Sequence, residues 1–205
     1  MTMPQRIGIF GGTFNPIHLG HLVIAEAAWQ EYDLTKVVFV PASHPPHKQQ
    51  DLDVAPDELR YEMVRLAIAD NPHFDISDVE LQREGLSYTV DTLRYFHTQY
   101  PTGTEFYFIV GTDTLEQLPT WKYIDELIEL CHFVGALRPH YQVNREHLTE
   151  RFGDLAQTRI HYLATPQLEI SATDLRRRLC RGQSVRYLMP DAVRRRLTEK
   201  GIYDC

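Results

Sequence analysis

The sequence predicts an α/β fold built on a doubly wound, mainly parallel sheet, with a small helical extension at the C-terminal end. Short runs rich in β-branched and aromatic residues alternate with stretches of helical periodicity, which is typical of strand–helix–strand units. A glycine-rich turn and a helical stretch follow the first such run, and two arginine-rich helical stretches follow the last, within residues 170–205.

Strands and helices are predicted in alternation along the chain. The strands are expected at residues 7–10, 36–40, 74–76, 79–81, 105–110, 132–137 and 160–164. Helices are expected around residues 22–32, 59–67, 90–100 and 123–130, and in two pieces from Ser171 to Gly201. Ligands of doubly wound sheets bind beyond the carboxyl ends of the strands, so the loops after positions 10, 40, 110 and 137 are expected to carry the chemistry.

Length and composition indicate one domain spanning residues 1–205, of which residues 170–205 form a C-terminal helical part. A length of 205 residues suits one well-buried core, with or without a small terminal extension, better than two full domains. No apolar run approaches the ~18 residues that cross a bilayer, and the N-terminus does not resemble a secretory signal. We therefore expect a soluble cytoplasmic protein with no membrane partner, while assembly into a homo-oligomer is left open.

Charge is distributed unevenly along the chain. The net charge is -7, yet residues 170–205 carry nine Arg and Lys against four Asp and Glu. A nucleic-acid-binding domain would be basic overall, so no nucleic-acid partner is expected. A solvated helix face is the simplest explanation of the basic end. A local anion site fits it better.

The sharpest motif is GGTFNPIHLGH, which lies between the first predicted strand and the first predicted helix. Gly11 and Gly12 let the backbone approach a ligand closely, and the helix that follows offers unpaired N–H groups to an anion. His18 and His21 are three residues apart, so both imidazoles lie on one side of the first turn. The segment has neither GxGxxG nor GxxxxGK[ST], which disfavours a dehydrogenase or a P-loop kinase. Without its context, the histidine pair would indicate a metal pair or a chance surface pattern.

This motif closely resembles the GGTFxPxHxGH signature of the nucleotidylyltransferase superfamily. The resemblance implies a Rossmann-like sheet of the nucleotidylyltransferase type, with an HxGH pair that contacts the α-phosphate of ATP. Bacterial members usually have Asp where this chain has Asn15, a position that the resemblance assigns to the second substrate. The residues assigned to ATP are Gly11, Gly12, Thr13, Phe14, His18 and His21, of which the two histidines are also catalytic.

The loop at residues 41–56 contains four prolines and no periodicity. Adjacent prolines stiffen the chain before His47 and Lys48, which lowers the entropy cost of holding them toward an anion. Solvated basic residues in an ordinary loop are the alternative. The segment PPHK looks like that of bacterial nicotinate-mononucleotide adenylyltransferases, which implies that His47 and Lys48 bind substrate and that Lys48 is also catalytic.

The segment EGLSYTVDTL combines a glycine turn at Gly85 with a helix start that has Asp91 in its first turn. Helix capping explains this pattern without a ligand. The segment is similar to GPSYTxDT of the same family, which implies that Ser87, Tyr88 and Thr89 bind the nicotinate carboxylate. Helix N–H groups suit a carboxylate, so the acid would be preferred over the amide.

Polar and aromatic residues follow the predicted strand at residues 105–110. Asp113 at a strand end can accept hydrogen bonds from ribose hydroxyls, and Trp121 can stack on a pyridine ring, although tryptophan is more often a core residue. These residues resemble the GxD and PxW elements of the family. The resemblance assigns Gly111 to ATP, Asp113 to both substrates, and Trp121, with Arg138 of the LRP segment, to the mononucleotide.

The last motif is ISATDLRRR, at the start of the basic end of the chain. Ser171 followed three positions later by Asp174 is a capping-box variant that needs no ligand, but capping does not explain Arg176. The segment looks like ISSTxIRxRL, in which a serine and an arginine embrace the ATP triphosphate, and Ala172 here replaces the second serine. The residues thereby assigned to ATP are Ile170, Ser171, Thr173 and Arg176, of which Arg176 is also catalytic.

Five motifs in the family's order, over almost the whole chain, identify it as a member of the bacterial nicotinate-mononucleotide adenylyltransferases. The resemblance implies adenylyl transfer from ATP to nicotinate mononucleotide, giving nicotinate adenine dinucleotide and pyrophosphate in NAD biosynthesis. Mg²⁺ would be carried by ATP and pyrophosphate, with no metal site on the protein.

Three alternatives stay open. The first is a sister adenylyltransferase acting on phosphopantetheine or nicotinamide mononucleotide. The second is a nucleotide-binding module without catalysis. The third is a zinc protein that would use His18, His21, His44 and His47.

Overall fold

Six parallel strands form one sheet within residues 4–43, 54–137, 144–166 and 168–203, which the computed structural model describes. The strands are β1 (Arg6–Gly12), β2 (Lys36–Pro41), β3 (Phe74–Ile76), β4 (Glu105–Gly111), β5 (His132–Ala136) and β6 (Ile160–Leu163). Most are rich in Val, Ile and Phe. Because helices cover both faces of the sheet, most interior strand residues are buried.

The strands lie in the order β3-β2-β1-β4-β5-β6. This is the order of a Rossmann-like doubly wound sheet, in which the chain moves outward to one edge from β1 and to the other edge from β4. The predicted fold class is therefore confirmed. Since β1 and β4 pair directly, from Arg6 with Glu105 to Phe10 with Ile109, their carboxyl ends flank the point where the order reverses.

Helices connect the strands and pack on both faces. In the described residues they are α1 (Leu19–Glu31), α2 (Asp57–Ile68), α3 (Thr89–Gln99), α4 (Thr112–Glu116), α5 (Ile124–Leu130), α6 (Arg145–Phe152), α7 (Asp154–Arg159), α8 (Ala172–Cys180) and α9 (Asp191–Lys200). A 3₁₀ turn covers Leu118–Thr120. None of the helices in the described part of the chain has the length and apolarity needed to cross a membrane.

Two hydrophobic clusters lie on opposite faces of the sheet. One joins α1 and α2 to the C-terminal helices α8 and α9, and it includes Phe39, Met63 and Val193. The other joins α3, α5 and α7 to the sheet, and it includes Leu93 and Phe106. The C-terminal helices thus share a core with the sheet, and the single domain over residues 1–205 stays a prediction.

The sequence-based prediction differs from the structure in three places. The predicted strand at residues 79–81 is wrong, because these residues form a turn in which the N–H of Gln82 bonds to the carbonyl of Asp78. The short α4 was not predicted. Helices α6 and α7 were also missed, since their buried residues are only Leu148, Phe152 and Ala156, too few to mark helical periodicity.

A pair of histidines lies where strands β5 and β6 begin, at the end of the sheet opposite the carboxyl ends of the strands. His132 of β5 and His161 of β6 are joined by a hydrogen bond of 2.9 Å between Nδ1 and Nε2. Nη1 of Arg159 donates to Nε2 of His132 at 3.1 Å, so His132 is an acceptor there. Burial, aided by the charge of Arg159, lowers the pKa of His132 to about 4 and also lowers the pKa of His161.

Acid is expected to destabilise the fold through His132. The ordinary pKa of a histidine is 6.5, whereas the pKa of His132 in the folded protein is about 4, so the unfolded chain binds more protons between these values. The stabilising contribution is complete above pH 6.5 and is lost as the pH falls toward about 4. Besides His161 and Arg159, Glu105 faces this group and opposes the shift.

We expect His132→Phe to flatten the fall of the melting temperature across this pH range, as measured by thermal unfolding at a series of pH values. His147→Phe is the matched control, because His147 is exposed. Identical pH slopes in wild type and in the His132 variant would contradict the prediction.

Candidate active site

A cavity of about 1200 Å³ opens where the strand order reverses. Its walls include the turn after β1, the segment after β4, and the residues that precede α3 and α8. Four of the five predicted motifs therefore contribute to the same cavity. The fifth motif contains His47 and Lys48, which lie outside the described residues, as does Arg138.

The turn after β1 presents its backbone to the cavity. Gly11, Gly12 and Thr13 line the cavity together with Phe14. A Cβ atom on Gly12 would lie 2.9 Å from Cζ of Phe14, so a side chain there would displace the ring. The ring of Phe14 packs into the core, and the residue is 2% exposed. The main chain of the turn is thus accessible to a phosphate group.

His18 and His21 lie at the start of α1 and both line the cavity. Their rings stack with centroids 3.7 Å apart. The backbone N–H of His18 donates to Nδ1 of His21 at 3.2 Å, so the proton of a neutral His21 ring is on Nε2. His21 can therefore donate from Nε2 to an anion. Between the two, a Cβ atom on Gly20 would lie only 3.0 Å from Nδ1 of His18.

Asn15 supports the turn from below and is not among the residues that line the cavity. It is 5% exposed, and its Oδ1 accepts from the backbone N–H of Ala55 at 3.0 Å and from the hydroxyl of Tyr203. Its carbonyl accepts from Nη1 of Arg176 at 2.9 Å. Burial raises the pKa of Tyr203, which keeps the phenol a donor. The roles of Asn15 and Arg176 toward substrates stay predictions.

Arg60 is a fully buried residue of α2 that lies outside the five sequence motifs. Its Nη1 donates to the carbonyl of Thr13 at 2.7 Å, and its Nε donates to the carbonyl of Ala55 at 3.0 Å. Its remaining nitrogen pairs with Asp57. One guanidinium group thus holds both the turn after β1 and the chain that leads into α2.

Ser87, Tyr88 and Thr89 line the cavity at the start of α3. Tyr88 is the extended N-cap residue, and the helix runs for 11 residues from Thr89. Asp91 lies in its first turn, as predicted, and pairs with Arg94 at 3.0 Å. The first N–H groups of a helix have no partner within the helix, so this end of the cavity suits an anion.

Gly111, the last residue of β4, and Asp113 of α4 line the cavity. Trp121 lines it as well, and its ring meets Phe108 and Phe133 edge to face, with both pairs of centroids 6.1 Å apart. One part of the indole packs on the core while another part borders the cavity. This geometry is therefore compatible with both alternatives for Trp121, packing in the core and stacking on a pyridine ring.

Ser171 is the N-cap residue of α8, and its Oγ accepts from the backbone N–H of Asp174 at 3.2 Å. The hydroxyl proton is still able to donate to a ligand while the oxygen caps the helix. Ile170, Ser171 and Thr173 all line the cavity. Arg178 has a local role, because its Nε pairs with Asp174 at 2.7 Å.

Comparison with known proteins identifies the family. Residues 9–178 match the cytidylyltransferase-like family. The nicotinate-nucleotide adenylyltransferase of Moorella thermoacetica is 46% identical over 204 residues, covering 99% of this chain and 94% of that protein. This chain belongs to the nicotinate-nucleotide adenylyltransferase family. The enzyme of the same name from Desulfitobacterium hafniense strain Y51 is 45% identical and covers 98% of this chain and 96% of its own length.

Solved structures of low sequence identity share the fold. Plasmodium falciparum nicotinic acid mononucleotide adenylyltransferase complexed with NaAD superposes with a TM-score of 0.79 at 18% identity, over 97% of both chains. The same enzyme complexed with APC gives a TM-score of 0.77 at 18% identity, again over 97% of both chains. The relatives at 45–46% identity confirm the family predicted from the five motifs, and the solved structures confirm its Rossmann-like fold.

Three residues in or next to the cavity wall were not predicted from the sequence: Arg60, Glu80 and Tyr203. Arg60 and Tyr203 hold the turn after β1, and Glu80 is a buried residue that lines the cavity near Ser87. A charged residue at an apolar position of a helix pattern could have revealed Arg60, since such residues are rarely buried unless paired. Nothing comparable marks Tyr203.

The described residues include no group of three or more His, Cys, Asp or Glu side chains placed to hold a metal ion. Two of the four histidines of the zinc alternative, His44 and His47, lie outside the described residues. The other two, His18 and His21, stack on each other at the cavity wall.

Proposed function

We propose that this chain catalyses transfer of the adenylyl group from ATP to the 5′-phosphate of nicotinate mononucleotide, giving nicotinate adenine dinucleotide and pyrophosphate, a step of NAD biosynthesis. The observation that carries the proposal is a single cavity with two anion-attracting ends. One end has the turn after β1 with His18 and His21, and the other has the start of α3 beside Trp121. Membership of the nicotinate-nucleotide adenylyltransferases supports the same reaction.

At the first end, the ATP phosphates would lie along the turn after β1 and against Ser171. The mononucleotide phosphate oxygen bonds to the α-phosphorus as the bond from that phosphorus to the bridging oxygen breaks, and pyrophosphate leaves. The protein supplies no nucleophile. Its contribution is to align the reactants and to stabilise charge on the phosphate oxygens, with Nε2 of His21 as one donor. His18, Lys48 and Arg176 are proposed as further donors.

At the second end, the mononucleotide would bind with its pyridine ring on Trp121 and its carboxylate at the start of α3. An electron-poor ring stacks well on an indole face. A carboxylate accepts from helix N–H groups and is favoured by the helix dipole. Ser87, Tyr88 and Thr89 are the proposed contacts, with Asp113 bonding to ribose hydroxyls. His47, Arg138 and Asn15 are proposed for the same substrate.

We propose Mg²⁺ as the metal ion of the reaction, bound mainly by the phosphates of ATP and pyrophosphate and by water. Mg²⁺ prefers oxygen ligands and usually keeps several waters when it binds with nucleotide phosphates. The phosphates therefore provide a suitable ligand set. A cytoplasmic location is a further proposal, and assembly into a homo-oligomer is left open.

A side-by-side assay tests the proposed function. Purified protein with ATP and Mg²⁺ would be given nicotinate mononucleotide, nicotinamide mononucleotide or phosphopantetheine, and pyrophosphate release would be measured. We expect the highest kcat/KM with nicotinate mononucleotide. Faster turnover of phosphopantetheine would favour the sister enzyme, and ATP binding without any turnover would favour a nucleotide-binding module. About one tightly held zinc per chain would favour the metalloprotein.

Replacing Trp121 by Ala is expected to raise KM for the mononucleotide about tenfold, because loss of a stacked ring costs roughly 1.4 kcal/mol. KM for ATP should change less than twofold by comparison, since ATP is assigned to the opposite end. Steady-state kinetics with each substrate varied in turn provides the measurement. Trp29→Ala is the control, because Trp29 stacks on His73 and neither residue lines the cavity. An unchanged KM in the Trp121 variant would leave only its core role.

A further inference from the structure

Glu80 is a buried carboxyl group in the wall of the cavity. It lies in the turn between β3 and α3, is 7% exposed, and borders the cavity near Ser87. Burial raises the pKa of Glu80, whereas hydrogen bonds from Thr92 and Ser87 and the charge of Arg83 act in the opposite direction. The proposed reaction assigns no role to this carboxyl group, so its position in the cavity wall needs another explanation.

Two hydroxyl groups lie against the carboxyl group of Glu80, one from each side of the helix start. Oγ1 of the fully buried Thr92, within α3, donates to Oε1 of Glu80 at 2.7 Å. Ser87, just before the N-cap residue, is close enough to the same carboxyl group to lower its pKa. Nη1 of Arg83 donates to Oγ1 of Thr92 at 3.3 Å, which leaves the threonine proton for Glu80. The carboxyl group therefore links the chain before α3 to the helix itself.

This link spans the backbone that faces the mononucleotide end of the cavity. The N–H groups of Asp91 and Thr92 bond to the carbonyl of Tyr88 at 3.1 and 3.4 Å. The donors without a partner inside the helix are thus those of the earlier residues, including Thr89. Helix ends fray readily, so a bond that joins both sides of the end fixes the direction of these donors.

We propose that Glu80 is a positioning residue for the mononucleotide, which anchors Ser87 and Thr92 and so holds the start of α3 in the orientation that selects a carboxylate. A carboxylate accepts from aligned N–H groups with both oxygens, whereas the NH₂ group of a carboxamide would meet donors and remain unpaired. Glu80 acts through the two hydroxyl groups. This inference rests on the proposed function, since it concerns the substrate of the same cavity.

The test uses two substitutions at Glu80 and a matched control. Glu80→Ala removes the hydroxyl acceptor, whereas Glu80→Gln keeps a carbonyl oxygen at nearly the same place. Glu84→Gln makes the same chemical change at an exposed position four residues further along the same segment. Steady-state kinetics with nicotinate mononucleotide, nicotinamide mononucleotide and ATP would be measured for all three, after thermal melting has shown that each is folded.

Glu80→Ala is expected to raise KM for nicotinate mononucleotide about tenfold, and to lower the ratio of kcat/KM for the acid over the amide about fivefold, the scale of losing an oriented hydrogen bond. KM for ATP should stay within about twofold of wild type. In Glu80→Gln, KM for nicotinate mononucleotide and the acid-to-amide ratio should return most of the way to their wild-type values. Glu84→Gln should match wild type. A rise in KM for ATP as large as that for the mononucleotide, or an unchanged acid-to-amide ratio in folded Glu80→Ala, would overturn the proposal. So would a loss of kcat in Glu80→Gln as large as in Glu80→Ala, which would place Glu80 at the reacting atoms.

Amide hydrogen exchange separates failure of this inference from failure of the proposed function. The N–H groups of Asp91 and Thr92, which bond to the carbonyl of Tyr88, should exchange at least about tenfold faster in Glu80→Ala than in wild type, because the helix end opens more often. They should be slowed again in Glu80→Gln. Unchanged exchange would overturn the anchoring role whatever the activity. A wild-type protein that turns over neither mononucleotide would instead overturn the proposed function, and the exchange measurement would still decide the anchoring role.

Discussion

His21→Ala is expected to lower kcat at least about 100-fold, the scale of removing one preorganised hydrogen-bond donor from the site of charge development. The backbone N–H of His18 donates to Nδ1 of His21, so a neutral ring carries its proton on Nε2, from which it can donate. Alanine removes that donor. The fold should persist, because His21 is only partly buried and its ring contacts are with His18, Phe10 and Phe14, all of which line the cavity.

The measurement is pyrophosphate release under saturating substrates, together with a melting curve. His147→Ala is the control, since His147 is an exposed residue of α6 and its loss should leave turnover unchanged. Turnover close to wild type in His21→Ala would remove His21 from the reacting centre. A collapse of the melting temperature would show that the ring is needed for folding rather than for donation.

Arg60→Met is expected to reduce the free energy of unfolding by about 3 kcal/mol, because a buried cation leaves several partners unsatisfied when it is removed. The carbonyl groups of Thr13 and Ala55 lose their donors, and Asp57 loses its ion pair. Methionine retains much of the length and apolar volume of the arginine stem. Turnover should fall as well, since Thr13 belongs to the turn that lines the cavity.

Urea denaturation of wild type and variant gives this free energy. Arg94→Met is the matched control, because Arg94 bonds to Asp91 and Glu126 on the surface, where ion pairs contribute only about 0–1 kcal/mol. Equal losses of unfolding free energy in Arg60→Met and Arg94→Met would contradict the stabilising role assigned to the buried guanidinium group. If stability falls without any change in turnover, the bond to Thr13 does not shape the site.

The course of the main chain was largely predictable, because the strands are continuous apolar runs whose pattern does not depend on distant partners. Residues 79–81 show where this reasoning fails. Val79 and Leu81 suggest a strand, but Glu80 between them takes its conformation from Ser87 and Thr92, which the local pattern does not reveal. The helices α6 and α7 were missed for the opposite reason, as they bury few apolar residues.

The candidate site was predictable where its residues are contiguous in sequence. Gly11 to His21 form one segment whose glycines, paired histidines and position between a strand and a helix indicate a phosphate turn. The residues that support this turn were not predictable, because Arg60 and Tyr203 reach it from 47 and 188 positions away. Such contacts are set by the packing of the finished fold, and a single sequence contains no local signal for them.

The contact between Tyr203 and Asn15 bears on how the protein is synthesised. A growing chain releases position 15 from the ribosome early, yet the phenol that bonds to it comes 188 residues later. The glycine turn can therefore gain its full support only after position 203 has been synthesised. A polypeptide shortened before position 203, or one whose C-terminal residues are pulled away by a fused tag, would lack this support even with every residue of the glycine turn present.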